Sequence, residues 1–301
     1  MLKILVIPLR FIGDAVLTVP LLRALCEQYP EAQVDLLLPP HLINLLERCP
    51  YVSELQTDLK GKHYDMAFLL RRSMSQALQL KLSGIQQVIG YDEQRFPPPV
   101  NFQRWGWFLD HRVSFPPGDT DIPQVKTYLN LLSPLTSQSF DERLELWADE
   151  ADRQKIQAYF DEGILQKPLA ILHATSASQE KAMAAEPFLP ALQALHQAGF
   201  QIAAIGTEKD YSHYEGLPLI NLCGQTTLRQ TYALLQQSQF LLSLDSGPVH
   251  MAACANIPHM VVIYGHTNEK QWRPYPYSGK FTAVFSADKI VEAVQHQMAL
   301  V

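Results

Sequence analysis

Short apolar runs alternate with stretches of helical spacing along the whole chain. Lys3–Pro8 is predicted as a strand, carried by Ile4, Leu5, Val6 and Ile7. Asp14–Gln28 places Leu17, Leu21, Leu22 and Leu25 at helical spacing. Pro20 lies inside that run, so the helix is expected to kink there or to restart with Thr18 as its cap. Val34–Leu38, Asp65–Leu70 and the weaker Val88–Tyr91 are further strands, and Gln124–Leu132 reads as a helix. Between them Phe96–Gly118, rich in Pro and Trp, has no periodicity and is expected to be loop.

Composition shifts over Ser133–Trp147, and the pattern then restarts. Asp149–Glu162 is a charged helix, Leu169–His173 a strand, Pro187–Ala198 a helix and Gln201–Ile205 a strand. Leu219–Leu222 follows as a short strand, and Leu228–Gln237 as a helix with Leu228, Tyr232 and Leu235 on one face. Phe240–Leu244, Met260–Gly265 and Phe281–Phe285 are strands, and Ala287–Met298 is a closing helix. Strands alternating with helices imply parallel sheets. The expected organisation is two doubly wound α/β domains, residues 1–150 and 151–301, joined near 148–165, with the last helix free to return to the first domain. The space between two such domains is the default ligand site.

The length of 301 residues allows each half its own core. A formal charge of -6 argues against generic nucleic-acid binding. No apolar run reaches the roughly 18 residues of a membrane span. The opening strand lacks the small-residue cleavage site of a signal peptide. Cys26, Cys49, Cys223 and Cys254 are scattered, which fits reduced thiols in a cytoplasmic protein.

Several chemistries are excluded by missing motifs. No two glycines are separated by one residue, so the dinucleotide fingerprint of a nicotinamide dehydrogenase is absent. Neither a P-loop nor a nucleophile elbow occurs, and the histidines lack zinc spacing. Asp119-Thr120-Asp121 spells a D-x-D, but among Pro116, Pro117, Gly118 and Pro123 it reads as solvated loop charge rather than a metal site. The most informative stretch is Asp245-Ser246-Gly247-Pro248-Val249-His250. It follows one apolar strand and precedes another, and proline suits the first helical turn. Free amides at such a helix start attract anions, and parallel sheets bind ligands at the carboxyl ends of their strands. An acid beside those amides could hold a sugar hydroxyl next to a phosphate.

Four segments together resemble a known family. Arg10-Phe11-Ile12-Gly13-Asp14, running on to Thr18-Val19-Pro20-Leu21, is similar to the opening of the ADP-heptose:lipopolysaccharide heptosyltransferases, glycosyltransferase family 9. Asp245-Ser246-Gly247-Pro248-Val249-His250 and Tyr264-Gly265-His266-Thr267-Asn268 are similar to the family's second and third marks. His173-Ala174-Thr175-Ser176, followed by Lys181, is similar to its phosphate-binding turn. The resemblance implies a GT-B fold: two facing Rossmann-like doubly wound domains with a central cleft. It also implies inverting, metal-independent transfer of a heptose from ADP-heptose to the inner core of lipopolysaccharide. The implied partners are the nucleotide sugar and an anionic glycolipid acceptor. The implied location is cytoplasmic, peripheral on the inner face of the inner membrane, with no cofactor. Readings that keep the fold but change the function are a transferase for another nucleotide sugar and glycan, a GT-B epimerase, and a catalytically silent sugar-nucleotide binding protein.

The residues themselves leave alternatives that the resemblance narrows. Asp14 could cap its helix or act as a base; the resemblance implies the general base. Arg10 could hold an anionic acceptor or form a surface ion pair. The resemblance implies that Lys181 binds the diphosphate and assists its departure, with Thr175 and Ser176 as hydroxyl donors. Glu208, just past a strand, could hold ribose hydroxyls or be a solvated loop charge. Asp245 is expected to bind heptose hydroxyls, and Ser246 and Gly247 to offer amides to phosphate. His250 is expected to reach the same phosphate or to be structural, and Tyr264 to be core. Residues 60–104 hold seven Lys/Arg against three Asp/Glu, and Arg71-Arg72 follows a strand. These arginines would form an acceptor-binding cationic wall or an ordinary solvated face.

Overall fold

β1 (Lys3–Ile7) is buried along Ile4–Ile7 because it lies at the centre of a sheet covered on both faces. A computed structural model of the protein describes residues 1–71, 73–92, 108–114, 121–176, 183–265 and 267–299. The chain divides into two units, Met1–Glu145 and Leu146–Val301.

In the first unit β1 is flanked by β2 (Gln33–Leu37) and β4 (Met66–Leu69), both parallel to it. β3 (Glu54–Gln56), β5 (Gln87–Asp92) and β6 (His111–Ser114) extend the sheet, giving the order β3-β2-β1-β4-β5-β6 among the described residues. This is the classical dinucleotide-fold order, whose direction reverses between β1 and β4. β6 falls inside the stretch expected to be loop. It is an edge strand whose residues, His111-Arg112-Val113-Ser114, bury only Val113, so it carries no apolar run.

α1 runs unbroken over Ile12–Gln28, with Pro20 inside it and Gly13–Leu25 buried. The expected restart at Thr18 does not occur; its hydroxyl donates back to the Asp14 carbonyl at 2.7 Å. An internal proline costs a helix about 3 kcal/mol. Burying Leu17, Leu21, Leu22 and Leu25 stabilises it by about 1.5–3 kcal/mol each, so burial wins. Buried Arg23 on the same helix ties down the end of the unit. Its guanidinium bonds the Glu145 carboxylate at 2.7 Å and the carbonyls of Asp141 and Arg143 at 2.7 and 3.0 Å. The unit also contains α2 (Ile43–Leu46), α3 (Met74–Leu82) and α4 (Gln124–Leu129).

The second unit repeats the plan. α5 (Glu150–Asp161) opens with a capping box between Asp149 and Asp152. Strands β7 (Leu169–His173), β8 (Gln201–Ala204), β9 (Ile220–Asn221), β10 (Phe240–Leu244), β11 (His259–Ile263) and β12 (Lys280–Val284) pair in the order β12-β11-β10-β7-β8-β9. Counted from β7 this is the same order as in the first unit, with the reversal now between β7 and β10. α6 (Leu189–Gln197), α7 (Leu228–Gln236), α8 (Gly247–Cys254), α9 (Glu269–Trp272) and α10 (Ile290–Met298) complete it. α10 packs on α6, β11 and β12, within the second unit. Arg229 of α7 reaches Asp152 of α5 at 2.9 Å and joins those helices. Among the described residues no helix is long and apolar enough to cross a membrane.

Candidate active site

A doubly wound sheet binds ligands where its strand order reverses, outside the carboxyl ends of the two central strands. In the first unit that point is bounded by the loops after β1 and β4. The first loop carries Arg10 and Phe11 and leads to Asp14 in the first turn of α1, and the second carries Arg71. Phe11 is the residue preceding α1, makes no side-chain cap bond and is 61% exposed. Asp14 therefore sits in the first turn, where the helix dipole favours its negative charge. Its carboxylate is buried, and Tyr128 of α4 donates to Oδ1 at 2.7 Å. Burial and the neighbouring Asp14 hold the Tyr128 phenol well above its ordinary pKa, so it stays a donor.

Arg10 is exposed and Arg71 partly buried; among the described residues neither has an acidic partner within salt-bridge distance. The expected cationic wall is thinner than its sequence count. Lys62 pairs with Glu54 at 2.8 Å and Lys81 with Asp110 at 2.9 Å, so these charges are already matched. Arg72 lies outside the described residues.

In the second unit the reversal point is bounded by the turn after β7 and the start of α8 after β10. Thr175 and Ser176 line a pocket of about 360 Å³ together with Lys209, Asp210 and His213. The 3-10 turn Glu208–Tyr214 builds the other side, and buried Tyr214 accepts from the Ala174 amide at 2.8 Å, which fixes the turn. Glu208 begins that turn and is exposed. Gly224, with φ +74°, lies against it so closely that a Cβ would stand 2.9 Å from the Glu208 Cα. Only glycine fits there, so the loop after β9 fixes the backbone of Glu208.

Asp245 is buried at the end of β10, with its amide donating to the Ile263 carbonyl at 2.9 Å. Ser246 precedes α8 in extended conformation and makes no side-chain cap bond. Pro248 has no N–H, and the Val249 amide donates to the Ser246 carbonyl at 3.1 Å. The amides of Ser246 and Gly247 have no backbone acceptor among the described residues. A helix start in this condition is an anion site. His250 is buried one turn further in. Tyr264 is core, as its sequence position implies, and burial together with nearby Asp245 pushes its phenol pKa up. Lys181, like Asp119 of the D-x-D, lies outside the described residues. Among those described, no group of three or more His, Cys, Asp or Glu is placed to hold a metal.

Four participants were given no role by the sequence. Tyr128 reaches Asp14 across 114 residues. Lys209 and His213 come to the Thr175 turn only because β8 lies beside β7. His173, quoted in the phosphate-turn motif without a role, meets Ser246 Oγ through Nδ1 at 3.0 Å.

Burial pushes the His173 imidazole down to about 4, outweighing the opposing pull of Asp210. The native protein thus keeps this ring neutral where an unfolded chain would already charge it, near pH 6.5. Above that pH both states are neutral and the full stability is present. As pH falls from 6.5 to 4 the unfolded chain takes up a proton the native state refuses, so stability drops. Urea unfolding between pH 7 and 4 should show this loss, and His173→Asn should reduce it. An unchanged slope in the variant would mean that other groups carry the acid sensitivity.

Lipopolysaccharide heptosyltransferase 3 of Escherichia coli is 23% identical over 296 residues, covering 89% of this chain and 84% of that protein. The glycosyl transferase family 9 structure from Veillonella parvula superposes with a TM-score of 0.80 at 20% identity, covering 99% of this chain and 98% of that one. The E. coli ADP-heptose lipopolysaccharide heptosyltransferase II structure gives 0.77 at 21% identity, over 99% of both chains. These likenesses establish the fold as that of the GT-B heptosyltransferases: two parallel-sheet α/β units. The model of glycosyltransferase family 9 (heptosyltransferase) matches residues 52–298, so the chain belongs to that family of transferase enzymes.

Proposed function

We propose that the protein is an inverting heptosyltransferase that moves a heptose from ADP-heptose to the inner core of lipopolysaccharide, without a metal. The observation that carries this reading is the pairing of two different crevices in one chain. One holds a buried carboxylate, Asp14, at a helix start. The other holds an open helix N-terminus beside a hydroxyl-bearing turn. The names of the similar E. coli enzymes supply the donor and the acceptor class.

In this reading residues 1–150 take the acceptor and residues 151–301 the nucleotide sugar. Asp14 accepts the proton of the acceptor hydroxyl as its oxygen attacks the anomeric carbon. ADP leaves from the opposite face, which inverts that carbon. The charge developing on the diphosphate is met by the amides of Ser246 and Gly247, the hydroxyls of Thr175 and Ser176, and Lys181. His250 supports the same phosphate, Glu208 holds the ribose, and Asp245 holds heptose hydroxyls. Arg10, Arg71 and Arg72 receive the anionic acceptor, which the enzyme meets as a peripheral protein at the cytoplasmic face of the inner membrane.

The test is turnover of ADP-heptose with a deacylated inner-core oligosaccharide, in the presence and absence of EDTA. The expected result is EDTA-resistant transfer with inversion at the anomeric carbon, read by NMR of the product. Activity lost to EDTA and restored by Mg²⁺ or Mn²⁺ would move the chemistry to Asp119 and Asp121. Turnover of a different nucleotide sugar alone would change the donor.

A further inference from the structure

Serine is among the best residues to precede a helix, because its hydroxyl accepts from a first-turn amide. Other helices of this chain start in that way. Ser73 accepts from the Gln76 amide before α3, and Thr227 from the Gln230 amide before α7. Ser246 occupies the same place before α8, with a suitable extended backbone, yet leaves its helix uncapped.

The hydroxyl is engaged elsewhere. It donates to the Leu244 carbonyl at 3.0 Å and lies 3.0 Å from His173 Nδ1. A hydroxyl has one proton, and Leu244 takes it, so Nδ1–H is the donor and the serine oxygen accepts. His173 ends β7 directly opposite Ser243 of β10, so its ring spans the two strands that bound the reversal point. Ser243 donates to the same Leu244 carbonyl at 2.7 Å and backs Ser246 at 3.4 Å.

We propose that His173 is a positioning residue that draws the Ser246 hydroxyl away from its own helix and so keeps the α8 N-terminus open for the donor's diphosphate. The proposal rests on the second unit being the nucleotide-sugar half. Pro248 has no N–H, so a cap would take the Val249 amide, and the capping oxygen would then stand in front of the first turn, where a phosphate oxygen must come to meet the Ser246 and Gly247 amides. With the hydroxyl held by His173, the space before the Ser246 and Gly247 amides stays clear for the anion. The neutral ring contributes a directed N–H without adding charge beside the phosphate.

A double-mutant cycle tests it, read by ADP titration calorimetry and by ligand-free thermal unfolding. His173→Phe removes the N–H, frees Ser246 to cap, and should weaken ADP about tenfold, within the range a cap is worth. Ser246→Ala alone should change ADP affinity by less than about threefold. Combined, the two should bind ADP nearly as the wild type does, because no hydroxyl remains to compete. His173→Asn, which keeps an N–H near the place of Nδ1, should retain affinity and also guards against a misfolded Phe variant. In unfolding, Ser246→Ala should lower Tm in both backgrounds, through the lost bonds to His173 and Leu244 in the wild type and the lost cap beside Phe, and a single cooperative transition shows that each variant is folded. Losses of ADP affinity that simply add would overturn the proposal. If the wild-type protein binds no ADP, the donor assignment falls and takes the proposal with it, whereas ADP binding with additive losses overturns the proposal alone.

Discussion

Asp14→Asn is expected to lower kcat by about a hundred- to ten-thousand-fold, the usual contribution of a general base, while ADP affinity stays within about twofold. Asparagine keeps the shape of the carboxylate and an oxygen for the Tyr128 hydroxyl, which donates at 2.7 Å, so the buried bond need not be lost. What disappears is the ability to take a proton. The change lies in the first unit, remote in sequence from the nucleotide motifs, which is why donor binding should be spared. Circular dichroism and Tm close to wild type would show that the fold survives. Tyr128→Phe sharpens the assignment: it removes one donor to the carboxylate and leaves the carboxylate in place, so its loss of kcat should be smaller. A purified Asp14→Asn protein turning over at a near-normal rate would remove Asp14 from the chemistry and leave it as a buried helix-start acid.

Lys181→Ala should be the next most damaging change, with kcat falling about a hundred- to thousand-fold and ADP binding weakened as well. Negative charge accumulates on the diphosphate as the glycosidic bond breaks, so a cation there is worth more in the transition state than in the ground state. Lys209 lines the pocket formed with Thr175 and Ser176 and supplies a second positive charge, so some activity should persist. Lys209 is exposed, and Lys209→Ala should cost less. The informative measurement is the split between constants. A Lys181→Ala enzyme with normal kcat and a raised acceptor KM alone would place that lysine in the acceptor half.

The central strands were legible because a strand buried on both faces must be apolar throughout, as in Phe240–Leu244, where every residue is buried. The edges were not. β3 is Glu54-Leu55-Gln56 and β6 buries one residue of four, because an edge strand faces solvent and needs no apolar run. α3 was missed for a related reason. It buries Ala77 and Leu80 yet exposes Met74, Leu78 and Leu82, so no clean helical period appears. The candidate site divides along the same line. Asp14, the Thr175 turn and Asp245–His250 are contiguous motifs and could be read directly. The Tyr128–Asp14 and His173–Ser246 bonds join residues far apart in sequence, the first through the packing of α4 on α1 and the second through the pairing of β7 with β10.

The pairing of β7 with β10 also governs how this chain acquires its structure. His173 and Ser246 are 73 residues apart, and β8, α6, β9 and α7 all lie between them. Closing a loop of that length is entropically expensive, and parallel pairing across it rewards the chain only late. During refolding the local β7–α6–β8 segment should form before β10 finds its place. Until then the apolar β10 keeps an open edge on the side where β7 will pair, and that edge is prone to aggregate, which favours slow expression at low temperature. The anion crevice has no walls before that step, so recovery of nucleotide binding should trail recovery of secondary structure in a stopped-flow refolding experiment.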